Sequence, residues 1–330
     1  MSEKQIDVYG IGNALVDIVV NVSEDFLEDH EIEKSLMTLV DEEKQGKILS
    51  NLPDNSLSMK CGGSAANTII AISQFGGKSF YTYKVANDNE GIFYVNDLID
   101  NGVGSALSAN AIPFSGVTGK CLVMTTPDAE RTMNTFLGIT SEFSKSSISE
   151  DTVANSKFVY IEGYLVSNPT SQEAMVEAIK LARKNNTKVA LTFSDPSMVK
   201  YFNTQMKEVV AHKVDLLFCN EEEALLFTEA NSLSEAITQL KEVTKELVIT
   251  RGAQGATIVS ESEGEIQVEA VATKAIDTNG AGDMFAGAFL YGITNGLTYE
   301  ESGKLACKAA SEVVSTIGPR LEKEKAVALV

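Results

Sequence analysis

Four short apolar runs, Phe158–Ile161, Val189–Phe193, Leu216–Cys219 and Leu247–Thr250, alternate with amphipathic segments through the second half of the chain. Runs without polar alternation belong to strands buried on both faces, which happens when helices cover both sides of a parallel sheet. Between them, Gln172–Lys184 sets Met175, Ile179 and Ala182 at helical spacing, and Ser234–Lys245 does the same with Ile237, Leu240 and Val243. Strands and helices alternating at this spacing predict βαβ units in an α/β/α sandwich with a mainly parallel central sheet.

The first half reads differently. Val8–Gly12 has the pattern of a core strand, and Asn67–Phe75 that of a core helix stopped by Gly76-Gly77. Leu15–Val22, Ser35–Val40, Leu57–Lys60 and Val117–Phe136 are β-leaning and alternating, with turns such as Pro127-Asp128. They predict a small antiparallel sheet inserted in two pieces, able to act as a lid. The expected division is a large α/β domain from residues 1–14, 61–111 and 139–330, and a small β lid from 15–60 and 112–138. Near the end, Thr298-Tyr299-Glu300-Glu301 has capping-box spacing and opens a last long helix.

Charge narrows the partners. Lysine and arginine number 27 against 46 aspartates and glutamates, a formal charge of −19. Nucleic acid and anionic membranes require a basic footprint, so neither is expected. An anionic substrate must be met by local donors rather than by a global field. Cys61, Cys121, Cys219 and Cys307 lie far apart, as reduced thiols of a cytoplasmic protein do. His30 and His212 sit in charged contexts, which argues against histidine catalysis or histidine metal sites. Met1–Asp7 lacks the apolar core of a secretion signal, and no window approaches a membrane span. Monomer and homodimer both stay open.

The segment Asp277-Thr278-Asn279-Gly280-Ala281-Gly282-Asp283 runs straight into the apolar stretch Met284–Ile293. Two glycines and an alanine leave the turn amides uncovered, at what the following run makes a helix N-terminus. Unpaired N–H groups and the positive end of the helix dipole form an anion site there. Asp283 brings a carboxylate into it, a costly choice unless that carboxylate accepts a proton from a hydroxyl attacking phosphorus. The plain structural alternative is an Asp cap on a buried helix.

Other glycine-led entries follow strands. Gly62-Gly63-Ser64-Ala65-Ala66-Asn67 lets a ligand approach the backbone, and Asn67 offers both donor and acceptor, which suits a polyhydroxyl substrate. Asn13 and Asp17 follow the first strand. Gly10-Ile11-Gly12 lacks the third glycine of a dinucleotide fingerprint, and a strand rather than a helix follows it, so a dehydrogenase is disfavoured. Asp17 is either a bidentate acceptor for sugar hydroxyls or an exposed edge-strand charge. Asn220-Glu221-Glu222-Glu223 opens a helix after a buried strand. Its acids suit the helix dipole, and Asn220 and Glu223 also suit a hydrated Mg²⁺ bound with ATP. Thr250-Arg251-Gly252 ends another strand, and in open α/β sheets ligands bind at such carboxyl ends.

Together these residues resemble the PfkB/ribokinase family of carbohydrate and nucleoside kinases, over nearly the whole chain from Val8 to Pro319. Asp277–Asp283 matches the family's C-terminal motif, Gly62-Gly63 with Asn67 its N-terminal one, Asn220–Glu223 its Asn-x-x-Glu and Thr250–Gly252 its nucleotide loop. Within the family the chain is most similar to the adenosine kinases, through Gly12–Asp17, Leu39-Val40-Asp41, Tyr160–Tyr164 and Asn279. The resemblance implies a ribokinase-like fold and ATP-dependent phosphorylation of a purine nucleoside, with a sugar kinase or a catalytically silent nucleoside-binding protein as alternatives. It implies that Asp17, Gly63 and Asn67 hold the ribose, that Leu39, Phe136 and Tyr164 wall the base, and that Arg131 reaches the transferred phosphate. It also implies a K⁺-type monovalent cation near Asp277 and the backbone around Ser315–Gly318.

Overall fold

The computed structural model describes residues 4–34, 37–52, 58–128 and 130–330, without the side chains of Ser58 and Arg131. Ser35, Leu36 and Leu57, included in the strand expectations, lie outside the described residues. In chain order the strands are β1 Ile6–Ile11, β2 Leu15–Asn21, β3 Met37–Leu39, β4 Ser58–Gly62, β5 Ser79–Thr82, β6 Gly119–Thr125 and β7 Arg131–Phe136. Then come β8 Ser156–Ile161, β9 Lys188–Thr192, β10 Val214–Asn220, β11 Thr244–Thr250, β12 Ala256–Ser260 and β13 Gly264–Val268.

They form two sheets. The larger runs β13-β12-β11-β10-β9-β8-β1-β5 and is parallel from β11 to β5, with β12 and β13 added antiparallel. The four apolar runs of the second half are its strands β8 to β11, with Val159, Leu191, Leu217 and Ile249 buried at 1 % exposure or less. Apolar clusters lie on both faces, as the absence of polar alternation requires.

The smaller sheet runs β3-β7-β6-β2-β4 and is mixed rather than antiparallel. β2 pairs with β6, and β3 with β7, in parallel. Two segments far apart in sequence meet here without a hairpin between them, so no turn dictates an antiparallel sense. Only β6 and β7 are joined by the expected turn at Pro127-Asp128. β2 lies inside this sheet, between β6 and β4, so Asp17 is not an edge-strand charge. A second correction concerns Ser234–Lys245. The helix is Leu233–Leu240, because Thr244 already pairs with Val214 in the sheet and Val243 closes the intervening turn.

Two helices place the site. Ser64–Gln74 follows β4, and Ala281–Thr294 follows the glycine turn. The second is buried from Met284 through Leu290, and its fully buried Phe289 and Leu290 contribute about 1.5–3 kcal/mol each. The helices approach closely because Gly287 faces Ala71 and Thr68: a Cβ at Gly287 would stand 2.6 Å from Ala71 Cβ and 2.8 Å from the Thr68 carbonyl. The third neighbour, Tyr299–Val314, begins with a Thr298/Glu301 capping box as its spacing predicts. Replacing Gly287 by Val should separate the two helices and lower stability by about 1–3 kcal/mol in urea denaturation.

Candidate active site

Because the Ser64 and Ala281 helices pack closely, their first turns converge. Ser64 Oγ donates to Asp283 Oδ1 at 2.6 Å, and Asn67 Nδ2 donates to Asp283 Oδ2 at 3.0 Å. Burial lifts the Asp283 carboxyl to about 6, while these two donors and the Arg320 cation hold it down. It therefore ionises near neutrality, as a proton acceptor operating there should. The Asp-cap alternative fails: the cap position is Gly280, in a left-handed conformation, and no side chain caps this helix. The amides of Gly282 and Asp283 consequently have no intrahelical acceptor. Gly280 is required by its φ of 74° and by Pro319, which a Cβ would overlap. A Cβ at Gly282 would meet nothing within 4 Å, so the backbone there faces open space.

Asp17 stands against Gly62, where any Cβ would overlap its carboxylate. Among the described residues its two oxygens accept no hydrogen bond. Burial raises Asp17 to about 7, the Asp283 charge adds to the rise, and the Arg320 and Lys60 cations oppose it. Behind them, the fully enclosed Glu162 accepts from the Asn13 amide at 3.2 Å and the Ala65 amide at 2.8 Å, tying the two glycine-led entries together. Burial lifts Glu162 to about 7 against the pull of these amides. Gly12 is needed because a Cβ there would stand 2.6 Å from the Glu162 carboxylate. Gly63, at φ 99°, turns the chain over the Asn13 carbonyl.

On the other side of the Ala281 N-terminus lies a cavity of about 590 Å³. Thr250, Gly252, Ala253, Ala272, Thr278 and Phe285 are among its lining, so its wall is mostly apolar with few polar groups, as suits a planar heterocycle. Asn220 and Glu223 form a reciprocal capping box: the Glu223 amide donates to Asn220 Oδ1 and the Asn220 amide to Glu223 Oε2. Burial raises Glu223 to about 7, and the Asp195 charge adds to the rise. Arg251 is tied to Glu221 at 3.1 Å and to Gln254. Asp277 accepts from the Asn279 amide at 2.8 Å and the Gly318 amide at 2.9 Å, fastening the glycine turn to the segment after Val314. The Asn279 side chain is exposed. A larger groove of about 850 Å³ opens at the opposite ends of the strands. Lys245 pairs with Asp215 in its lining, and it borders none of these residues.

Asp283, Gly280, Ala281, Gly282, Asn13, Asp17, Gly62, Gly63 and Asn67 thus form one cluster, with Thr250 and Gly252 on the adjoining cavity. Leu39 is 49 % exposed on β3, and Phe136 is half-buried on the neighbouring β7. Burial raises the Tyr164 hydroxyl well above its ordinary value, and the charges of Asp195, Glu162, Asp283 and Glu223 add to the rise. Arg131 opens β7, and its side chain lies outside the described residues. Sequence reasoning missed four contributors. Ser64 stood inside the quoted glycine motif and Glu162 inside the quoted Tyr160–Tyr164, each without an assigned role. Lys60, two residues before Gly62, reaches Gly318: a Cβ on that glycine would lie 2.6 Å from its Nζ. Arg320 had no local signal at all.

An uncapped helix N-terminus beside an ionisable carboxylate, between a polar cleft and an apolar cavity, is the arrangement of a phosphotransferase acting on an alcohol. The chain belongs to the pfkB family of carbohydrate kinases, whose model matches residues 37–326. Adenosine kinase from Sinorhizobium meliloti is 34 % identical in sequence, with a TM-score of 0.88 and 98 % of each chain covered. A probable sugar kinase from Rhizobium etli has the same TM-score of 0.88 at 32 % identity, over 99 % of this chain and 100 % of that one. A 5-dehydro-2-deoxygluconokinase from Bacillus licheniformis is 26 % identical over 95 % of this chain and 91 % of its own length.

The two motif glycines should respond differently to alanine. Gly282→Ala should keep or raise the melting temperature, since alanine suits a helix better, yet cut turnover at least tenfold by covering the amides. Gly280→Ala should lower both.

Proposed function

We propose that the chain transfers the γ-phosphoryl group of ATP to the 5′-hydroxyl of a purine nucleoside, adenosine before others, giving AMP. The observation that carries this reading is the pairing of Asp283, held by Ser64 and Asn67, with the unengaged carboxylate of Asp17 in one cleft. Two free acceptor oxygens in a partly desolvated site fit the vicinal diol of a ribose, with Asn67 and the backbone at Gly62-Gly63 beside it. Leu39, Phe136 and Tyr164 then wall the base. The small sheet, from residues 15–60 and 112–138, closes over the nucleoside as a lid and excludes water.

Asp283 accepts the proton of the 5′-hydroxyl as its oxygen attacks the γ-phosphorus, and ADP leaves. The amides of Gly282 and Asp283 stabilise charge on the transferring group, with Gly280 and Ala281 shaping the turn and Arg131 of β7 assigned to that phosphate. Thr250, Arg251, Gly252 and Asn279 border the ATP side. Glu223 Oε1 is free of the capping box and Asp195 lies near it, a donor set that fits a hydrated magnesium ion; Glu223 and Asn220 would hold it through water. When bound there, the ion would supply positive charge to offset that of the ATP phosphates. Asp277, joined to Gly318, is the candidate for a monovalent cation.

A second reading, a sugar acceptor, is favoured by the probable sugar kinase and deoxygluconokinase relatives and by the Lys60 cation beside Asp17.

Adenosine should turn over with Mg-ATP faster than inosine, guanosine, cytidine, ribose or fructose in an ADP-release assay. Fast turnover of a sugar with none of adenosine would replace the first reading by the second. Asp283→Asn should lower kcat at least a hundredfold. Because only the ionised carboxylate accepts a proton, kcat/KM of the native protein should fall as pH drops through about 6, the value to which burial lifts Asp283.

A further inference from the structure

Arg320 follows the Gly318-Pro319 loop and packs against Asn67 behind the cleft. Its guanidinium makes three directed bonds. Nε donates to Asn67 Oδ1 at 2.9 Å, Nη1 to Asp97 Oδ2 at 2.6 Å, and Nη2 to the carbonyl of Cys61 in β4. The pair with Asp97 is mostly enclosed, with side-chain exposures of 16 % and 27 %.

The chemistry of these partners fixes more than position. A guanidinium has donors only, and an ionised carboxylate acceptors only. Asn67 lies between Arg320 and Asp283, so just one orientation of its carboxamide satisfies both: oxygen to Arg320, amide hydrogens to Asp283. Without Arg320 the carboxamide is free to turn its oxygen toward Asp283 and repel it. We propose that Arg320 is a positioning residue of phosphoryl transfer, locking Asn67 as a hydrogen-bond donor to Asp283 and presenting its positive charge behind that pair. It also ties the Asp283 cleft to the end of β4, the strand that pairs with Asp17-bearing β2.

This inference rests on the reading of Asp283 as the base, and it adds the device that keeps the base ionisable. Asp283 sits among acids: Asp17 on β2, Glu162 after β8, and the Tyr160 and Tyr164 hydroxyls beyond. Lys60 on β4 serves mainly Asp17, whereas Arg320 opposes the rise of both Asp17 and Asp283. Removing the Arg320 charge leaves Asp283 facing burial with only the two neutral donors Ser64 and Asn67.

The test reads Asp283 directly in the full-length protein, without a choice of acceptor. With ¹³C-carboxyl aspartate incorporated, the Asp283 resonance is identified by its loss in Asp283→Asn and followed through a pH titration. In Arg320→Gln its midpoint should rise by roughly one pH unit, the size of effect one neighbouring cation exerts. A purely structural Arg320 would lower the melting temperature and leave the midpoint in place, which overturns the proposal. Where Arg320→Gln does not fold, Arg320→Lys keeps a cation for Asp97 but cannot also reach Asn67, so the midpoint should rise there too. An unmoved midpoint in that folded variant overturns the proposal equally. If the midpoint moves while Asp283→Asn retains turnover of adenosine, the base assignment falls and the coupling between Arg320 and Asp283 stands.

Discussion

The contact on which the rest of the site depends is between two helices with no room for a side chain between them. Gly287 against Ala71 and Thr68 lets the Ser64 and Ala281 helices approach backbone to backbone, so their N-termini point into the same cleft. Two helix dipoles and the unpaired amides of Gly282 and Asp283 then act on one small volume, an environment that favours negative charge. Asp283, Ser64 and Asn67 meet there because the helices do, and the glycine turns need only the freedom to deliver the chain.

The price of this arrangement is a cluster of carboxylates with little water. Asp17, Glu162, Glu223 and Asp283 all ionise well above the ordinary carboxylate range, each chiefly through burial. Such groups destabilise a fold unless they are put to use. Glu162 holds two loops through their amides, Glu223 closes a capping box, and Asp283 meets the hydroxyl and the carboxamide placed for it. Among the described residues Asp17 accepts no hydrogen bond, which leaves its oxygens available for the ligand role proposed for it. The Arg320 and Lys60 cations offset part of the charge at Asp17.

Much of the fold was legible in the chain. Strands β8 to β11 are continuous apolar runs because both faces of the sheet are covered. The capping box at Thr298 and the helix after Gly62-Gly63 announced themselves by spacing alone. The sense of the small sheet was not legible, because parallel pairing between β2 and β6 joins segments a hundred residues apart and leaves no local trace. Neither was the end of the helix at Leu240, where pairing of Thr244 with Val214 overrode a helical pattern that continued through Val243.

The division at the site is sharper. Glycines, asparagines and carboxylates following strands declare themselves in sequence, since backbone freedom and unpaired charge are properties of the residue and its neighbours. By itself the sequence determined a glycine turn leading into a helix N-terminus, a carboxylate in that helix's first turn and a second glycine-led helix entry carrying Asn67. Only the tertiary structure decided that Asp283 is shared by Ser64 and Asn67, that Glu162 joins two loops, and that Arg320 orients Asn67 from the far end of the chain. The physical reason is distance along the chain. A directed hydrogen bond between residues 253 positions apart depends on how the intervening sheet and helices pack, and no local pattern encodes it.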